Sequence, residues 1–180
     1  MNITSFENDV QRGKVGEQIF TEDFLQFLNI KYQDVTGNQG FQLIDSDYLA
    51  KIGLYEVKAS YKDNEIIIIE EYTNYNKQLG QISYGWFYKS KADMLVFISK
   101  TTRAMILIPF TDKFKKHYGT IKDAYDLKLN RISVHNGSRW QSAFREIPLS
   151  AINGYFAYYK KMQPALLDVP EPDIIPYWRW

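Results

Sequence analysis

Residues 44–60, IDSDYLAKIGLYEVKAS, place three carboxylates and two lysines inside two short apolar runs that otherwise read as sheet. The runs FQLIDSDYLA (41–50) and LYEVKAS (54–60) flank KIG (51–53), whose glycine suits a tight reversal, so they are expected to pair as a hairpin. Alternate residues of a strand share a face. Glu56 and Lys58 therefore point the same way, as do Asp45 and Asp47 on the partner run, and pairing in register makes all four converge. Carboxylates crowded on one patch repel each other, and a bound divalent cation relieves that repulsion. The plainer reading is a solvent-facing strand side with a cross-strand Asp to Lys pair, a common feature of antiparallel sheets.

The rest of the chain supplies the elements around this hairpin. GKVGEQIFTEDFLQFLNI (13–30) reads as an amphipathic helix from Val15, with Val15, Ile19, Phe20, Phe24, Phe27 and Leu28 on one broad face. Glu17 falls between Phe24 and Leu28 on that wheel, where an unpaired carboxylate is costly. Alternatively the helix starts near Glu17, which then complements its positive N-terminal end. EIIIIEE (65–71) is expected as a strand buried on both faces, followed by a polar, helical segment through residues 72–92. DMLVFISKTTRAMILIPF (93–110) gives two more strands around SKTTR, and TDKFKKHYGTIKDAYDL (111–127) a helix weakened by Gly119. Asn136-Gly137 is the strongest hairpin signal. SAINGYFAYYKK (150–161) is the last expected helix. Four of the six prolines lie in 163–180, which is expected to extend without regular structure.

Composition narrows the chemistry. A chain of 180 residues with 45% apolar and 16% aromatic content is expected to form one α/β domain over 1–161, with a Pro/Trp-rich extension at 162–180. There are no cysteines and only two histidines, so disulfides, thiol catalysis and thiolate zinc sites are excluded and metal chemistry falls to carboxylates. With no leader-like start and no long apolar run, a cytoplasmic protein without a membrane partner is expected. Charge is uneven: residues 1–57 hold four Lys/Arg against nine Asp/Glu, and residues 58–161 hold seventeen against nine. An acidic cluster beside a basic surface suits a protein that holds a phosphate backbone against a cation, although a solvated face with ordinary lysines has the same composition.

An acid, a hairpin, then Glu56-Val57-Lys58, preceded by a helix bearing Glu17, resembles the PD-(D/E)xK nuclease superfamily. The signature acid is then Asp47, nine residues before Glu56, or Asp45, eleven before; the spacing is short and the proline of the motif is absent. The succession DSDY, YEVKAS, IIIIEE and GWFYKSKADMLVFIS is similar to phage and bacterial members of unassigned role, over residues 13–99. The resemblance implies a restriction-endonuclease-like core, a central mixed sheet flanked by helices. It further implies a Mg²⁺-dependent nuclease acting on DNA, with Mn²⁺ able to substitute. Asp45 or Asp47 and Glu56 would hold the metal, Lys58 would activate water, and Glu17 would assist. Glu70 and Lys91 are further candidate site groups, and Trp86 either stacks on a base or fills the core. Lys89, Lys91, Lys100 and Arg103 are the expected phosphate contacts in the basic middle. Nothing marks an interface, and a homodimer is compatible. The competing expectations are a non-catalytic binding or inhibitor protein that keeps the nuclease fold, and an RNA-processing role.

Overall fold

In the computed structural model, which describes residues 4–161 apart from 52, 60, 63–64, 77–80, 131 and 136–137, the chain begins with helix α1 (Thr4–Phe20). This helix runs on into a π-helical turn over Thr21–Gln26. Strand β1 (Tyr32–Asp34), helix α2 (Gln39–Gln42), β2 (Tyr48–Ala50) and β3 (Gly53–Lys58) follow. Next come β4 (Tyr61–Lys62), the long β5 (Ile66–Asn76), β6 (Gln81–Tyr84) and the short helix α3 (Trp86–Lys89). β7 (Met94–Ile98) and β8 (Met105–Pro109) lead to α4 (Asp112–Ile121) and a 3₁₀ turn at Lys122–Ala124. β9 (Lys128–Leu129), β10 (Ser133–His135), β11 (Ser138–Trp140) and β12 (Ala143–Pro148) precede a second 3₁₀ turn, Leu149–Ile152, and β13 (Ala157–Tyr159).

The main sheet has six strands in the order β1-β2-β3-β7-β8-β13. β3 and β7 run parallel and every other neighbouring pair is antiparallel, so the sheet is mixed. A second, antiparallel sheet has the order β4-β5-β12-β9, with β6 also paired to β5, and β10 and β11 form a separate two-stranded ribbon. Alternation along the central strands explains the layering. Leu95, Phe97, Ile106 and Ile108 face Ile67, Ile69 and Ile147 of the second sheet, together with Phe87 and Phe114. Val96, Ile98, Met105 and Leu107, with Tyr55 and Val57, face Ile19, Phe20 and Phe24 on the α1 side. Among the described residues no helix is long and apolar enough to cross a membrane.

Several expected elements are corrected. α1 starts well before Val15, and Val15, Phe27 and Leu28 are exposed, Phe27 at 54%. The wider π turn after Phe20 holds an extra residue and shifts the helical phase, which rotates Phe27 and Leu28 off the apolar face. Residues 41–47 are not strand. The Asn38 side chain accepts from the Gly40 N–H at 2.9 Å and caps α2, and Asp45 has a φ of 46°, outside any strand conformation. β5 buries Ile67 and Ile69 fully but Ile66 and Ile68 only in part, and it continues through 72–76, where a helical segment was expected. Tyr72, Thr73 and Tyr75 are good strand formers. In place of a final helix, Asn153-Gly154 turns the chain, with Gly154 at φ 84°, and β13 pairs with β8. β10 and β11 pair antiparallel on either side of Asn136-Gly137, and that turn, like 162–180, lies outside the described residues.

Candidate active site

Asp47 stands one residue before β2, in line with the Tyr48 to Tyr55 pairing, and so lies alongside Glu56. Two hydrogen bonds hold it there. Its backbone N–H donates to the Tyr55 carbonyl at 2.8 Å, and its Oδ2 accepts from the Val57 N–H at 2.7 Å. Tyr55 and Val57 are committed to the α1 side of the sheet, so Glu56 and Lys58 face the other way. Lys58 Nζ bonds Glu56 Oε1 and lies 5.3 Å from the centroid of the Trp86 ring. Glu56 is only 2% exposed, and its Oε2 is buried without a hydrogen-bond partner.

Burial sets the electrostatics. It drives the Glu56 carboxyl up to about 7 despite the neighbouring Lys58, with the Asp47 charge adding to the rise. Asp47 is raised for the same first reason, burial, against the pull of Lys58 and the Val57 N–H. Burial alone would depress the Lys58 ammonium, but Glu56 and Asp47 outweigh it and hold the group above the ordinary lysine value. Glu17 also belongs to this cluster: burial raises its carboxyl, and the charges of Asp47 and Asp34 raise it further. Glu17 lies well inside α1, so the helix-start explanation for it fails. Gly16 makes its position possible. A Cβ there would come within 2.8 Å of the Ala59 Cβ, so α1 rests directly on the chain leaving Lys58.

The remaining expected residues divide into two groups. Lys89 Nζ lies 3.4 Å from Asp45 Oδ2, and the Ser90 hydroxyl donates to the Asp45 carbonyl at 2.9 Å, so α3 and the Asp45 turn close one side of the cluster. Asp45 is therefore a turn residue paired with Lys89, and it does not share a strand face with Asp47 as expected. Glu70, on β5, has its carboxyl raised by burial and stabilised as the anion by Lys58, which places it near the lysine. Trp86 is buried beneath Lys58, and Gly85 permits this, because a Cβ there would stand 2.6 Å from the Glu70 carbonyl oxygen. Lys91 is exposed and holds the Asp45 turn through its backbone N–H on Ile44 O at 2.9 Å. Lys100 is exposed on the β7–β8 turn. Arg103 is committed elsewhere, donating from Nε to Asp23 Oδ2 at 2.5 Å and from a terminal nitrogen to Glu22 at 3.1 Å.

Two residues join the cluster that the sequence did not single out. Asp34 faces Tyr48 across the β1–β2 pair, and the buried Tyr48 hydroxyl is raised by burial and by the charges of Glu17, Asp34 and Asp47. A three-residue β1 carries no periodicity strong enough to announce that pairing.

Among the described residues no group of three or more His, Cys, Asp or Glu side chains is arranged to hold a metal ion. Mg²⁺ asks for less than that. It binds through one or two carboxylates and keeps several waters. Asp47 and Glu56, adjacent oxygen donors with one buried oxygen unsatisfied, fit such an ion. Family models, curated proteins and solved structures contain no match to this chain.

Proposed function

We propose that this protein is a metal-dependent nuclease that hydrolyses phosphodiester bonds in DNA, and that its mixed sheet is a restriction-endonuclease-like core. The observation that carries the reading is the buried Glu56, bonded through one oxygen to Lys58 and unsatisfied at the other. An orphaned carboxylate oxygen is expensive to bury, and although Glu71 Oε2 is buried in the same way, only at Glu56 does a second carboxylate, Asp47, stand alongside. A cation shared by the two carboxylates would satisfy that oxygen.

Asp47 and Glu56 would bind Mg²⁺, or Mn²⁺ in its place, with Glu17 within electrostatic reach of Asp47 and Lys58. The ion supplies Lewis acidity to the phosphate and lowers the pKa of a bound water. Lys58, held protonated by the two carboxylates, orients the attacking water and offsets the negative charge that builds on the phosphate. Its place over the Trp86 ring limits how far the ammonium can swing. Glu70 and Lys89 border the same cluster and would position substrate or lysine.

The test is incubation of purified protein with circular single-stranded and duplex DNA in Mg²⁺, Mn²⁺ or EDTA, beside Glu56→Gln and Lys58→Met. The expected outcome is cleavage that needs metal and falls at least about a hundredfold in Lys58→Met. Cleavage that survives both substitutions, or binding without cleavage that is indifferent to chelator, would overturn the assignment; the latter would favour a binding protein on the same fold.

A further inference from the structure

A cluster of tyrosines lies on the hairpin of β5 and β6 and continues onto α3. Ring centroids of Tyr72 and Tyr75 are 5.0 Å apart, those of Tyr72 and Tyr84 6.1 Å, and those of Tyr84 and Tyr88 5.2 Å. Tyr84 is 61% exposed and Tyr88 40%. The four rings pack on one another, Tyr88 also on Phe87, and Tyr84 and Tyr88 keep an exposed face. Tyr88 also lines a cavity of about 240 Å³ between α3 and α4, together with Phe87, Lys115, Tyr118, Gly119 and Lys122. That is room for a single ring system and less than most drug-sized sites. Lys122 donates to the Tyr88 hydroxyl at 3.2 Å with its ammonium 5.9 Å from the ring centroid. The same ammonium lies 3.7 Å from the buried Glu71 carboxylate, Lys115 Nζ stands 4.1 Å from the Phe110 ring centroid, and Asp123 is turned to Arg145.

Gly119 lines the same cavity. It sits inside α4, where glycine costs roughly 1 kcal/mol relative to alanine. No group within 4 Å would meet a Cβ there, so the fold itself does not need the glycine. Gly119 is exposed, so that space is open to solvent at the mouth of the cavity.

We propose that this tyrosine surface binds an unpaired nucleic-acid strand, its bases stacking on Tyr84 and Tyr88 and its phosphates passing Lys115 and Lys122. Every base has a π face, so tyrosine platforms flanked by cations accept single strands with little regard to sequence. The bases of a duplex are stacked on each other and cannot reach the rings. Trp86 lies under Lys58, whereas Tyr88, two residues on, points to the opposite face of α3, so the tyrosine surface is separate from the proposed active site. As the substrate-recognition face of a nuclease the surface rests on the function proposed above; as a single-strand binder it is tested without it.

The test is fluorescence anisotropy in EDTA with a labelled oligothymidylate of about fifteen nucleotides, the same strand annealed to its complement, and thymidine monophosphate as competitor. Wild type is expected to bind the single strand at least tenfold more tightly than the duplex. Tyr84→Ala and Tyr88→Ala are expected to weaken single-strand binding roughly tenfold each, while Tyr84→Phe binds as wild type does, and both Tyr84 variants melt with the parent. Competition by the mononucleotide at comparable concentration would identify the free nucleotide as the ligand and overturn the strand. Binding unchanged in both alanine variants, or a preference for duplex, would overturn the proposal and leave the surface to a protein partner. Because no cleavage occurs in EDTA, an inactive wild type that still binds through the tyrosines would refute the nuclease alone.

Discussion

Gly16 of α1 stands against Ala59, the residue after β3, so closely that a Cβ on Gly16 would lie 2.8 Å from the Ala59 Cβ. Helix interiors disfavour glycine, yet this one lets α1 carry Glu17 to the acid cluster. Gly16→Ala is therefore expected to destabilise the protein by about 1 to 2 kcal/mol despite the gain in helix propensity. The other Ala59 atoms near that Cβ are no closer than 3.4 Å, so Ala59→Gly in the same chain should restore stability. Urea melts of the two single variants and the double variant read the coupling.

Arg103 gives a contrasting case, because its sequence context suggested a phosphate contact and its position makes it structural. Its bond to Asp23 and the charge beside it hold the Asp23 carboxyl below the usual aspartate value, against the opposing effect of burial. A depressed carboxyl contributes stability above the unfolded value, near 3.8, and loses it as pH falls through the lower folded value. Arg103→Ala is expected to cost about 1 to 3 kcal/mol at pH 7, since Asp23 is buried and loses its main partner. The difference from wild type should narrow as the pH is lowered below 4. Thermal melts from pH 3 to pH 7 check this, and DNA binding should be unchanged.

Arg103 marks one limit of what was legible in the chain. The strand Gly53–Lys58 and its pairing with β2 follow from alternation, and so does the shared face of Glu56 and Lys58, because a period of two leaves no other choice. The π turn after Phe20, the left-handed Asp45 and the strand continuing through Tyr75 were not legible. Each depends on a local backbone choice settled by tertiary packing, which periodicity does not encode. Trp86 was expected to stack on a base or fill the core, and it is core, with Gly85 bringing α3 against β5 directly beneath Lys58.

Glu71 illustrates a buried charge that has no place in the proposed chemistry. It is 1% exposed and accepts from the Tyr118 hydroxyl at 2.9 Å, with Arg145 Nε at 3.4 Å and Lys122 Nζ at 3.7 Å. Tyr118→Phe deletes one hydrogen bond to a charged acceptor and is expected to cost about 1.5 to 3 kcal/mol. Glu71→Leu removes the carboxylate and leaves Arg145 short of a partner, so it should cost more. Denaturant melts order the two, and metal-dependent cleavage should survive in Tyr118→Phe.

Glu56 titrates in the opposite sense to Asp23. Its folded value, about 7, is above the unfolded value of 4.5, so between those limits the folded protein binds the extra proton. Stability from this group is greatest below the unfolded value and declines as pH rises through 7. In EDTA, wild type should lose on the order of 1 to 3 kcal/mol between pH 5 and pH 8 relative to Glu56→Gln, which cannot titrate. Mg²⁺ or Mn²⁺ should reverse the loss at pH 8, because a cation beside the ionised carboxylate removes the charge that burial penalises. Melting temperatures at pH 5 and pH 8, with and without metal, decide it. A wild type no more pH-sensitive than Glu56→Gln, or one that gains nothing from metal at pH 8, would remove Glu56 as a ligand.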